Sequence, residues 1–183
     1  MEQVKRLRAD GRRNRERIVE VAAELVAREG AQVSLEEIAR RAGVGSATLH
    51  RHFPSRQALL EAVFRDGVAQ LCARAAAKPG KAPADELADW LEEVTVYTVT
   101  HRGLAAALLA GPEGLSAEDI CCTDLLLNVV KALVARASSV GALHAGATAE
   151  DLVKLVNAIA VANENDPTTA RRVLRLALTG IRR

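Results

Sequence analysis

The sequence predicts an all-α fold, and three observations carry that prediction. Ala, Leu, Arg and Glu, residues that lose little on entering a helix, dominate the chain. Apolar residues recur at spacings of three and four, and nowhere do they sustain the two-residue alternation of a strand. Ser, Thr or Asp opens several of the periodic stretches, while Gly or Pro punctuates their ends.

Taken in order, residues 1–11 read as a flexible arm. A first helix is predicted from about Arg12 to Arg28, because Ile18, Val21, Ala22, Leu25 and Val26 share one face. Gly30 ends it. Ser34-Leu-Glu-Glu37 has the form of a capping box, with each end of the motif reaching the other's amide, and opens a second helix with Leu35, Ile38, Ala39 and Ala42 on its apolar face. Gly43 supplies a turn, and a short third helix runs from about Gly45 to His52. After Pro54, Ser55 is a good N-cap for a fourth helix bearing Leu59, Leu60, Val63, Phe64 and Val68. Residues 78–83, KPGKAP, cannot continue a helix and read as a surface loop. A helix from Asp85 to about His101 follows, then a short piece from Leu104 to Leu109 that stops at Gly111-Pro112. Ser116-Ala-Glu-Asp119 opens a long helix to about Ser139, and Thr148-Ala-Glu-Asp151 opens the next, to about Asn163. Asp166-Pro167 starts the last with an N-cap and a proline at the first helical position. There is no internal repeat or low-complexity segment.

Of the 183 residues, 49% are hydrophobic and 26% charged, an ordinary globular composition. No apolar run approaches the roughly 20 residues needed to cross a membrane, and the N-terminus is charged rather than signal-like, so the expected location is the cytoplasm. Three cysteines, two of them adjacent at Cys121 and Cys122, do not make a disulfide framework and read as reduced thiols. The net charge of +2 says little, but its distribution is uneven. Residues 1–65 hold 13 basic and 9 acidic groups, whereas the remainder holds 12 and 14. Seven of those basic groups (Lys5, Arg6, Arg8, Arg12, Arg13, Arg15 and Arg17) lie within the first 17 residues. A basic end on a near-neutral body suits contact with a polyanion; it equally suits a solvated tail.

Two helices that cross steeply need a small residue at the crossing and a turn residue that tolerates positive φ. Ala39 and Gly43 meet those needs. Val44, Leu49 and Phe53 can then anchor the third helix, leaving Ser46, Ala47, Thr48, His50, Arg51 and His52 as small or polar positions, some of which must face outward. A short helix so held can enter a DNA major groove. On spacing alone, a plain helical hairpin fits equally well.

A resemblance decides between them. Residues 12–64 resemble the DNA-binding region of the tetracycline-repressor (TetR) family, whose pattern (T/S)-hydrophobic-x-x-I-A-x-x-A-G-V-x-x-x-T-L-Y-x-H-F-x-x-K-x-x-L is matched by Ser34, Ile38, Ala39, Ala42, Gly43, Val44, Thr48, Leu49, His52, Phe53 and Leu59. The match covers about 50 residues; the rest of the chain resembles the family only in being helical and of suitable length. The resemblance implies a three-helix helix-turn-helix domain over residues 1–57 and a helical domain over 58–183 that binds an effector and dimerises. Implied DNA-binding residues are Arg12, Arg13, Ser34, Gly45, Ser46, Ala47, Thr48, His50, Arg51, His52 and Arg56. Among them Ser34 would take a phosphate at a helix start, and Arg56 stands at the family's phosphate-binding lysine. His50 replaces the usual tyrosine. Gly45 replaces a frequent serine, which moves the N-cap role towards Ser46. The arm arginines would add salt-dependent, sequence-independent affinity.

In the second half, Leu152, Leu155, Val156 and Ile159 on one helix and Val173, Leu176 and Ala177 on the last form broad apolar faces. The resemblance implies a homodimer interface there; burial within one chain would use the same residues. Trp90, Val94, Tyr97 and His101 make a stripe on one helical face. With Leu108, Cys121, Leu125 and Asn128 they are the candidates for lining an effector pocket, although such a stripe also serves as core. Thiol sensing by Cys121 and Cys122 is a minor reading, since neighbours on a helix point about 100° apart.

The function implied is a homodimeric regulator, in most of the family a repressor, that binds a palindromic double-stranded DNA operator and is released by a small-molecule effector. No cofactor is expected. No metal cluster, nucleophile with base or phosphate loop is visible, and histidines at 50, 52, 101 and 144 do not suggest one, so an enzyme with an accessory DNA-binding domain is the weaker alternative. A structural or interaction protein that has lost DNA binding is the other, raised by Gly45 and His50.

Overall fold

The structure, a computed structural model, describes residues 2–76, 80–101, 117–144, 146–163 and 166–181. Among these residues there are eight helices and no strand. They are α1 (Glu2–Glu29), α2 (Leu35–Ala42), α3 (Ser46–His52), α4 (Arg56–Ala76), α5 (Pro83–Thr100), α6 (Ala117–Ser139), α7 (Ala149–Ala162) and α8 (Pro167–Thr179). The expected short helix at 104–109, and Ser116 as a cap, lie outside the described residues. The chain divides into two compact units, with the change falling inside α4 between Gly67 and Val68.

The first unit is a three-helix cluster closed by the start of α4. Ile18, Ala22, Leu25 and Val26 of α1 pack with Ile38, Ala39 and Ala42 of α2, with Leu49 and Phe53 of and after α3, and with Leu59, Leu60 and Val63 of α4. One expectation is corrected here: there is no flexible arm before Arg12, because α1 is helical from Glu2. Nothing in residues 2–11 breaks a helix except Gly11, whose cost of about 1 kcal/mol relative to Ala is too small to end a rod that the core anchors further on. Gly30 and Gly43 end α1 and α2 at φ +83° and +67°, the left-handed conformation expected of both.

The second unit is built around α5, which is buried along much of its length through Leu87, Trp90, Leu91, Val94, Thr95 and Val99. Its first residue is Pro83, where a missing N–H costs nothing, so the loop predicted over 78–83 ends before Pro83. The helix packs against α6, α7 and α8. Thr95 is fully buried, and its hydroxyl donates to the Leu91 carbonyl at 2.8 Å, which removes the cost of a polar group in the core. α7 and α8 begin as expected: the Asp151 amide donates to the Thr148 hydroxyl (3.1 Å) and the Thr169 amide to the Asp166 carboxylate (2.9 Å). Their inner faces, Leu152, Val156, Ile159 and Ala160 with Ala170, Leu174 and Leu178, complete the core.

Candidate nucleic-acid interface

The first unit presents α3 on a rigid base. Ser34 caps α2, accepting the Glu37 amide, and its own hydroxyl donates to the Glu36 carboxylate at 2.7 Å. That hydrogen bond is the main reason the Glu36 carboxyl lies below its ordinary range. The expected capping box is only half formed. Glu37 does not reach back; its carboxylate takes Arg40 and Arg41, which pull its pKa down to about 2. Gly43 then turns the chain, its amide directed at the Ala39 and Arg40 carbonyls.

The first turn of α3 closes on the Gly45 carbonyl, which accepts the Thr48 amide at 2.9 Å and the Leu49 amide at 3.0 Å. Gly45 is itself the N-cap, with no side-chain hydrogen bond, so the cap does not pass to Ser46 as expected. Leu49 and Phe53 are buried and hold the helix down. Ser46, Ala47, His50 and Arg51 share the opposite face and are exposed; Thr48 and His52 are half-buried. The structure therefore sorts the polar positions that the sequence left together. His52 turns towards α1: a Cβ added to Gly11 would lie 4.0 Å from its Cε1. The Arg15 guanidinium sits over the Phe53 ring, 5.1 Å from its centroid, a cation–π contact that fixes the end of α3 against α1.

Arg12 and Arg13 are exposed on α1 and paired locally with Glu16 (3.0 Å) and Asp10. Such exposed pairs are weak and leave both cations available to an anion. Arg56 is placed differently from the expectation. Its Nη1 donates to the Val33 carbonyl and, at 3.3 Å, to that of Ala31. No signal short of the fold itself links residue 56 to a loop more than 20 residues earlier.

In the second unit, the stripe expected to line a pocket is divided. Trp90 and Val94 are core residues, and the Trp90 Nε1 donates to the Leu71 carbonyl at 2.9 Å. Tyr97 is half-buried, with the His101 ring stacked on it at 4.1 Å. Leu125 and Asn128 lie exposed on α6, while Leu108 and the side chain of Cys121 fall outside the described residues. An open cleft of about 540 Å³ does exist beside Tyr97. Its polar wall comes from Arg74, Asp89, Glu92, Glu93, Thr100 and Arg171, and Val96 and Tyr97 supply an apolar part. Arg175 grips Glu92 through two hydrogen bonds, and Arg74 meets Glu93 at 2.9 Å. None of these charged residues belonged to the expected pocket.

The expected interface residues on α7 and α8 divide too. Leu152, Val156 and Ile159 are buried in the chain's own core, whose demand for apolar surface they meet, so they are not free to meet a second copy. Leu155, Val173 and Ala177 are half-buried, and Leu176 is 61% exposed. Val161, not among the expected residues, is 72% exposed. Among the described residues no group of His, Cys, Asp and Glu could hold a metal ion, and no helix is long and apolar enough to cross a membrane.

Comparison with known proteins bears on both units. Residues 18–63 match the model of bacterial regulatory proteins of the tetR family, and residues 82–183 match that of the C-terminal domain of SbtR-like transcriptional regulators. The chain is similar to a TetR transcriptional regulator of Streptomyces coelicolor, at 30% identity over 92% of this chain and 98% of that one, with a TM-score of 0.74. It is also similar to a TetR regulatory protein of Mycobacterium vanbaalenii, at 32% identity over 97% and 99% of the two chains, with a TM-score of 0.75. A regulator of Saccharomonospora viridis solved in complex with choline shares the fold at 19% identity over 92% of this chain and 97% of that one, with a TM-score of 0.72. An HTH-type transcriptional regulator of Staphylococcus aureus is 41% identical over 54 residues, a match that spans 29% of either chain.

Proposed function

This chain belongs to the TetR family of bacterial transcriptional regulators, and we propose from that premise that it is a homodimeric repressor which holds a palindromic operator through α3 and leaves it when a small molecule binds the second unit. The observation that carries the reading is the α3 face. Ser46, Ala47, His50 and Arg51 stand out together on a helix whose other side is buried, the arrangement a major-groove reader needs. Residues 1–57 are the proposed DNA-binding domain and 58–183 the effector and dimerisation domain, acting in the cytoplasm. Exposed Leu176 and Val161, with half-buried Leu155, Val173 and Ala177 beside them, support α7 and α8 as the dimer face. The Tyr97 cleft is the proposed effector region. Its carboxylates are already paired with Arg74, Arg171, Arg175 and Lys81, so the Tyr97 ring is the feature that suits a small cation, and choline, bound by a structural relative, is the first compound to screen.

Release by a thousandfold requires the effector to prefer the non-binding geometry by about 4 kcal/mol. The test is a gel shift with DNA from upstream of the protein's own gene and of its neighbours. Retardation at low salt that competitor DNA of random sequence does not abolish is the expected result. A folded protein that retards none of these fragments would sink the reading.

A further inference from the structure

Arg56 opens α4, where a cation is poorly placed: the first turn of a helix carries partial positive charge, and no acidic residue stands in this one. Ser55 caps that turn, its hydroxyl accepting the Ala58 amide at 3.1 Å. The Arg56 guanidinium folds back over the loop between α1 and α2, where Nη1 donates to the carbonyls of Ala31 and Val33. Both loop residues are buried, and neither carbonyl accepts any of the backbone amides of the turns and caps. Without the guanidinium, two acceptors at the edge of the core would lack a protein donor, which is costly. Val33 immediately precedes Ser34, the cap of α2. One side chain thus joins the first residue of α4 to the last residue before the cap.

We propose that Arg56 is a positioning residue: held by the Ala31 and Val33 carbonyls, it places Ser34 and the first turn of α2, and it serves DNA recognition through that placement and not by touching a phosphate. The proposal rests on the DNA-binding reading above. A phosphate contact would require the guanidinium to abandon both carbonyls, with the loop left to water. The two roles differ in what they predict. A lost phosphate contact lowers the slope of log affinity against log salt by about 0.9 for each contact and weakens binding to every sequence alike. A lost tie leaves that slope unchanged and loosens the start of α2 even in protein without DNA.

The experiment compares the wild-type protein with Arg56→Met, which keeps the apolar stem and removes the donors. Hydrogen exchange without DNA is read at the amides of Glu37 and Ile38, which bond the Ser34 hydroxyl and carbonyl. Salt titrations then use a short random-sequence duplex and the upstream fragment. The expected result is exchange faster by about tenfold or more at those two amides, corresponding to about 1.4 kcal/mol, an unchanged salt slope on the random duplex and weaker binding to the upstream fragment. Unchanged exchange, or a slope reduced by about one, overturns the proposal. Should the variant not fold, phenylglyoxal labelling of the wild-type protein without DNA provides the same decision: Arg51 is modified well before Arg56 if the tie holds, and at an equal rate if it does not. Wild-type protein that binds neither DNA overturns the regulatory reading and Arg56's part in it, while exchange and labelling still report on the tie.

Discussion

Arg51 is exposed on the α3 face with no role in the core, so Arg51→Ala should leave the melting temperature within a degree or two while weakening operator binding. If the guanidinium reads a guanine edge, the loss is about 1–3 kcal/mol and falls on specific sites more than on random DNA; fluorescence anisotropy with both duplexes measures it. His101 is half-buried, and burial holds its imidazole below the ordinary value, against a smaller opposing pull from the Tyr97 carbonyl. The folded protein therefore keeps His101 neutral where the unfolded chain, titrating near 6.5, already binds a proton. Stability from this group is complete above about pH 6.5, declines as the pH falls below it, and levels off beneath the depressed folded value. Thermal melts between neutrality and mild acid should show the decline, and His101→Asn should flatten it.

Among the helices, the starts with a capping side chain were legible: Ser34, Ser55, Thr148 and Asp166 all accept the amide three residues on. Asp166→Ala should cost about 1 kcal/mol and lower the melting temperature by a few degrees, seen by circular dichroism, because the first turn of α8 loses its side-chain cap. The start of α1 was not legible. No cap residue marks it, and Gly11 resembles a boundary although the helix runs through it. Composition also could not show that Glu37 prefers Arg40 and Arg41 to its own cap, since three partners at suitable spacing compete for one carboxylate. The anchors of α3 followed from period alone, although the polar positions between them stayed unsorted. The Arg56 tie and the charged cleft did not, because both join residues distant in sequence, where periodicity carries no information.

Across the whole molecule, the apolar surplus of α7 and α8 has two destinations that share one pattern. Leu174 is fully buried and Leu176, two positions on, is exposed. Leu176→Glu should therefore keep the chain folded and yet turn a dimer into a monomer, as sedimentation velocity would show, with operator affinity lost alongside. Leu174→Ala should instead destabilise each subunit by about 2–5 kcal/mol. A Leu176→Glu protein that still sediments as a dimer would place the interface elsewhere.

The unbroken course of α1 has a kinetic consequence. A tail that is coil in the free protein must be ordered as it meets DNA, at about 1–2 kcal/mol for each residue fixed, and encounter is then followed by a folding phase. In α1 residues 2–11 are already helical. Their charges arrive on a scaffold of settled geometry, so stopped-flow association should consist of a single salt-sensitive phase whose rate rises linearly with DNA concentration, without a plateau.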